Sequence, residues 1–311
     1  MKKIILLLMA SLFLIGCTNE APKKETTLTI YTSIYPVQYA TEQITGDLAT
    51  VESLYPPGVD AHTYEPTTRQ LTYIARSDLF IYIGAGMESF AERTEEALQL
   101  EDTNFLEIGE DESIFREAEA AHEHEHGHEH HHDDDHHHDV DPHIWFDPLR
   151  MIDMGERIKI HLSTLYPEHE AIFEENFLQY KEKLETLDAQ FTNTLKDKSE
   201  KQMIVTHAAY GYWEERYGIE QLAISGISSS EEPSQRELVA LVKRANELDL
   251  RYIVFEKNSS NHVASIIQEN LDAKDVYIHN LETLTEEDVN MERDYMSIMQ
   301  ENLQVLDEIT K

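Results

Sequence analysis

The sequence predicts an α/β protein of two (β/α)4-type lobes with parallel sheets, joined by one long rigid helix, with a ligand site in the cleft between the lobes. Three observations predict it. Short β-rich or apolar runs alternate with helical segments from Leu28 to Ile108. The same alternation restarts at Met203 and runs to Ile309. Between them Phe173, Phe177, Tyr180, Leu184, Leu187, Phe191 and Leu195 recur at spacings of 4, 3, 4, 3, 4 and 4, one apolar stripe of a single helix. Strands that alternate with helices make parallel sheets covered on both faces, and such sheets hold ligands at the carboxyl ends of their strands.

In the first half, TLTIYTS opens a strand at Leu28, and Pro36 to Thr45 reads helical and stops at Gly46. Ala49 to Leu54 is a strand, and Pro66 to Arg76 a helix with proline at its start, where a missing N–H costs little. Leu79 to Ile83 is a nearly continuous apolar strand, Met87 to Leu100 a helix and Asn104 to Ile108 a strand. Residues 109–141 break the pattern, and helical character resumes at Leu149. The apolar stripe predicts a helix from Glu168 to Lys198, about 45 Å long and more than one small domain needs, hence a strut. In the second half, strands are expected at Met203 to Thr206, Leu222 to Ile227, Tyr252 to Phe255 and Val276 to Ile278. Helices are expected at Ala209 to Tyr217, Pro233 to Glu247 with Ser230 as its cap, Ser259 to Leu271, and Met291 to Ile309.

The N-terminus reads as an address. Lys2 and Lys3 precede an apolar run from Ile4 to Ile15, too short to span a bilayer comfortably and shaped like an export signal. The run ends in Leu14-Ile15-Gly16-Cys17, which resembles a bacterial lipobox, and Cys17 is the only cysteine in the chain. Cleavage before Cys17 and attachment of a lipid to its sulfur would leave the protein outside the cytoplasm, anchored to the outer face of the cell membrane. The resulting division is a signal peptide over 1–16, a polar tether over 17–27, an N-terminal lobe over 28–166, a linker helix over 167–199 and a C-terminal lobe over 200–311. A monomer is expected. With 25 Lys and Arg against 61 Asp and Glu, the formal charge of −36 excludes nucleic acid as a partner and any electrostatic hold on anionic lipid.

The first lobe carries an insertion, AHEHEHGHEHHHDDDHHHDV over 121–140, with ten of the 17 histidines: His122, His124, His126, His128, His130, His131, His132, His136, His137 and His138. Nothing in it can drive packing, so a mobile loop is expected. Neutral imidazole suits zinc, copper and nickel, so the composition points to metal capture rather than to a solubility segment. An engineered tag would sit at a terminus as a pure histidine run.

Three of the seven remaining histidines fall at or just beyond strand ends or the loop: His62 in PPGVDAHTYEP, His143 in DPHIWFDP and His207 in THAAYGYW. A closed zinc site takes four ligands. Glu282 in HNLETLT is the first choice for the fourth, Asp275 and Glu256 are weaker candidates, and His279 is a rival that strand-end geometry should turn aside. Three imidazoles and one carboxylate would leave Zn²⁺ at a net charge of +1 and favour it over the harder manganese ion. Asp141 or Asp147 could accept the free ring N–H of His143, and Asp60 or Glu65 that of His62. Protons should compete with metal at every imidazole as pH falls through about 6.5.

PPGVDAHTYEP, DPHIWFDP, THAAYGYW, the Glu232-Pro233-Ser234 segment and NLETLTEED followed by RDYMSIMQENL resemble, in order, the metal-specific solute-binding lipoproteins of bacterial ABC importers, in particular the zinc branch of ZnuA and AdcA type. The resemblance covers the chain from Leu28 to its end. It implies two β/α lobes bridged by a long helix and metal ligands at His62, His143 and His207. It favours zinc, because the manganese branch has Glu at the third place. The fourth ligand of the zinc branch varies between a carboxylate near the C-terminal motif, which Glu282 fits, a Glu beside the first histidine, which Ala61 removes, and water. The expected function is a zinc receptor, not an enzyme, that delivers Zn²⁺ to an ABC permease and its ATPase. A surface metal buffer or adhesin on the same fold is the alternative. An exported zinc hydrolase is a distant third, because no HExxH is present.

Overall fold

A computed structural model of the chain describes residues 27–98, 103–117, 140–229, 233–257 and 262–311. Strands β1 (Leu28–Thr32), β2 (Ala49–Ser53), β3 (Leu79–Tyr82) and β4 (Asn104–Glu107) form one parallel sheet in the order β2-β1-β3-β4. Helices α1 (Tyr35–Thr45), α2 (Thr68–Ile74) and α3 (Ala91–Leu98) connect them. A short antiparallel pair, β5 (Arg116–Glu117) with β6 (Val140–Asp141), follows. Then come α4 (Pro148–Leu165) and α5 (Glu170–Leu195). The second half contains β7 (Gln202–His207), α6 (Gly211–Tyr217), β8 (Glu220–Ser225), α7 (Gln235–Glu247), β9 (Tyr252–Glu256), α8 (His262–Leu271) and β10 (Lys274–Ile278), with α9 (Glu286–Asn290) and α10 (Tyr295–Ile309) closing the chain. Its parallel sheet has the order β10-β9-β7-β8. Counted within each half, both sheets run second, first, third, fourth. Each therefore switches winding direction between its first and third strands, where connecting loops part and leave a crevice at the carboxyl ends.

The elements follow from local chemistry. All four residues of β3 are buried, as its apolar run predicts for a central parallel strand. Gly46 ends α1 at φ 52, a backbone setting that glycine adopts without a Cβ clash. Among the boundaries that differ from expectation, three have a local cause. Helix α2 starts at Thr68 rather than Pro66, because Thr67 and Gln70 form a reciprocal capping box. Helix α7 is capped by Ser234 with Glu237, not by Ser230. The closing helix expected from Met291 starts at Tyr295: Glu292 has φ 54, Asp294 accepts from Ser297 N to cap α10, and the short α9 before it is an additional element.

Pro167–His169 form a 3-10 turn ahead of α5, so the long helix has 26 residues and spans about 39 Å rather than the predicted 45. All seven stripe residues are buried. The helix packs against α1, α4, α6 and α10. One apolar core runs from the first sheet past α5 into an aromatic layer that includes Trp145, Phe146, Tyr210 and Trp213. A second, smaller core lies beneath β9, α7 and α8. Buried indole N–H groups fasten the halves together: Trp213 Nε1 donates to Phe146 O at 2.7 Å, and Trp145 Nε1 to Asn280 O at 2.8 Å. Among the described residues no helix is long and apolar enough to cross a membrane.

Candidate metal centre

His207 is the last residue of β7, and the adjacent strand β9 ends in Glu256. Their side chains meet at the switch point, with Glu256 Oε1 2.5 Å from His207 Nδ1. Thr206 Oγ1 donates to the same oxygen at 2.6 Å, and Asn280 Nδ2 to Glu256 Oε2 at 3.3 Å. The carboxylate accepts a hydrogen bond from Nδ1–H and leaves Nε2 facing inward, where it is buried without a hydrogen-bond partner. An orphaned ring nitrogen in a dry site is costly unless something else binds it.

His143 is two residues beyond β6. Asp141 Oδ1 accepts from both His143 N, at 3.1 Å, and His143 Nδ1, at 2.8 Å, which again turns Nε2 to the cleft. His62 lies in the loop after β2. Asp60 Oδ1 accepts from Thr63 N and Oγ1, both at 3.1 Å, closing a turn around His62, while Asp60 Oδ2 accepts from Ser229 Oγ at 2.6 Å across the cleft. Glu282 follows β10 on a loop where Leu281 has φ 66. Its backbone carbonyl accepts from Tyr35 N at 2.9 Å, and its Oε2 from Ala61 N at 3.3 Å.

The structure brings one ligand atom each from His62, His143, His207 and Glu282 within 4.8 Å of one another. His62 Nε2 lies 3.2 Å from His143 Nε2 and 3.6 Å from Glu282 Oε1, which is 3.9 Å from His207 Nε2. The edge of a zinc tetrahedron with bonds near 2.05 Å is about 3.3 Å, so the donor set fits such an ion with small adjustments. Burial pushes the His62 pKa down to about 2, helped by the other two imidazoles. Burial also lowers that of His143, against the opposing pull of Asp141. Glu282 is pushed up to about 8 by burial, against the opposing effect of His207 and with Glu256 and Asp60 adding to the rise. At His207 burial favours the neutral ring, but Glu256, Glu282 and Asp60 together outweigh it and raise the pKa to about 9. Two electron-pair donors are thus held neutral, and two more hold protons that a dication could displace.

The other sequence candidates have different duties. Asp147 does not reach His143; it caps α4 through Leu149 N and pairs with Arg216 Nε at 2.7 Å. Glu65 is on the surface with Ser89 and Arg93. Asp275 accepts from Gln268 away from the cleft, and Glu256 is the partner of His207. Both ring nitrogens of His279 are engaged, Nε2 with Asp288 and Nδ1 with Leu281 N. Sequence reading passed over Glu256 as a buttress, although an acid closing the apolar run YIVFE was its signal. The ten histidines of 121–140 and Cys17 lie outside the described residues.

Residues 30–309 match the ZnuA family, described as "Zinc-uptake complex component A periplasmic". The chain is 35% identical over 315 residues to the zinc-binding lipoprotein AdcA of Streptococcus pneumoniae strain R6, covering 100% of this chain and 61% of AdcA. It thus spans about three-fifths of that relative's length. It is 31% identical over 308 residues to the high-affinity zinc uptake system protein ZnuA of Bacillus subtilis strain 168, covering 97% of this chain and 95% of that one. Its fold superposes on the crystal structure of the Zn(II)-bound ZnuA-like domain of S. pneumoniae AdcA with a TM-score of 0.74 at 32% identity, over 92% of this chain and 99% of that domain. With the match running from the first strand to the last helix, the chain belongs to the ZnuA family of zinc-uptake components.

Proposed function

We propose that this protein is an extracytoplasmic zinc receptor that captures Zn²⁺ on His62, His143, His207 and Glu282 and delivers it to an ABC permease and its ATPase. The observation that carries this reading is the convergence of those four donors, two of them with inward nitrogens fixed by buried carboxylates. The donor set is rich in nitrogen, which favours zinc over manganese. Its relatives are named as zinc-binding and zinc-uptake proteins, and one is named a lipoprotein, in keeping with an anchor at Cys17.

The task requires no bond to be broken in the cargo. The protein binds the ion, excludes water from it and releases the displaced protons. The segment 121–140 acts as an auxiliary collector, with weaker sites than the cleft, so that ions pass inward by exchange. Calorimetry with the full chain tests the division: one tight site plus several weak ones are expected. Deleting 122–138 should remove the weak sites and spare the tight one. Replacing His62, His143 and His207 together by Ala should do the reverse. Tight binding that survives the triple replacement contradicts the assignment.

A further inference from the structure

Asp141 closes the short β5–β6 ladder, and Arg116 is its register partner. While Asp141 Oδ1 holds His143, Asp141 Oδ2 faces Arg116 Nη1 at 3.7 Å, with the carboxylate 1% and the guanidinium 13% exposed. The second half of the chain secures this arrangement. The Tyr212 hydroxyl on α6 accepts from Arg116 N at 3.0 Å and donates to Asp141 O at 2.7 Å, so one phenol clamps both strands. The guanidinium also lies over the Tyr212 ring, 5.9 Å from its centroid. Gly211 makes room for it: a Cβ there would sit 1.6 Å from Arg116 Nη1 and 2.7 Å from Asp141 Oδ2.

The geometry points to Arg116 as a positioning residue for metal capture, which sets the place and orientation of His143 through Asp141. The inference rests on the reading of His143 as a ligand. A buried carboxylate with two oxygens needs partners on both. His143 satisfies Oδ1, and Arg116 is the cation facing Oδ2. Without that cation Asp141 turns or draws in water, and the imidazole anchored to it moves off the position it shares with His62 and His207. Gly211 and Tyr212 keep the guanidinium in place, so the second half of the chain helps to aim a ligand carried by the first.

The test uses the full chain and the variants Arg116→Ala, Arg116→Lys, Gly211→Ala and His143→Ala. Zinc affinity is measured by competition with a chromophoric chelator, site geometry by the visible absorption of bound Co²⁺, and folding by thermal melting without metal. Arg116→Ala should weaken zinc by about tenfold, the lower end of the effect of outer partners on metal sites, and alter the Co²⁺ band. Arg116→Lys should recover to within about threefold of the parent, since the charge facing Asp141 is retained. Gly211→Ala should reproduce the loss by evicting the guanidinium, and it carries the same readouts if Arg116→Ala does not fold. Parent-like zinc affinity and an unchanged Co²⁺ spectrum in Arg116→Ala overturn the inference. So does a loss that Arg116→Lys fails to recover and that merely follows a lower melting temperature. Tight zinc binding by His143→Ala would instead overturn the ligand assignment beneath it.

Discussion

Glu256 Oε1 lies 2.5 Å from His207 Nδ1, and this contact decides which nitrogen of His207 faces the cleft. The two residues end neighbouring parallel strands, so the sheet itself sets their separation. Replacing Glu256 by Ala frees the ring and lets its tautomer vary. Zinc affinity should fall by about 10–100-fold, measured against a chromophoric chelator. An unchanged affinity would mean that His207 needs no buttress.

Proton competition should begin at higher pH than free histidine suggests. The sequence alone put it near 6.5. In the folded site Glu282 is raised to about 8 and His207 to about 9, so both hold protons at neutral pH until metal displaces them. His62, lowered to about 2, adds no competition in the ordinary range. Because the metal-free state binds more protons than the metal-bound state, affinity should fall as pH drops through 9 and 8. Calorimetry of the 122–138 deletion in buffers of different ionisation enthalpy should show protons released at pH 7 and markedly fewer at pH 9, where Glu282 has lost its proton and His207 is about half protonated. Absence of release at pH 7 contradicts this.

Glu282 joins the halves, since its Oε2 accepts from Ala61 N beside His62 while its Oε1 faces His62 and His207. Glu282→Ala should therefore weaken zinc by at least about tenfold, or 1.4 kcal/mol, and accelerate its release. Stopped-flow transfer to a chelator measures both. Parent-like release would assign the fourth position to another group.

The stripe on α5 should dominate its energetics. Leu184 is fully buried, so Leu184→Ala should cost about 2–5 kcal/mol in urea unfolding of the metal-free protein. Leu178 on the same helix is 55% exposed, and Leu178→Ala should change stability by less than about 0.5 kcal/mol. Equal effects would show that the helix is not held by that face.

Much of this was legible in the chain. The stripe from Phe173 to Leu195 identifies a buried helix face because period and hydrophobicity agree over six intervals. His62, His143, His207 and Glu282 stand out because each ends or follows a strand or follows the histidine-rich insertion, where β/α chains place ligand residues. What escaped depends on contacts between distant segments. Glu256 meets His207 only because β9 lies beside β7, and Arg116 meets Asp141 only through a two-residue ladder across the insertion. Caps were misplaced where Ser or Thr choices lay close together, as with Ser230 and Ser234, because only a reciprocal bond such as that with Glu237 distinguishes them.

The most direct measurement is a crystal structure of the zinc-loaded protein with anomalous scattering collected at the zinc edge. A single strong peak should lie about 2.0–2.2 Å from ring nitrogens of His62, His143 and His207 and from an oxygen of Glu282. A principal peak anywhere else, or a peak contacting fewer than three of those imidazoles, would contradict the account.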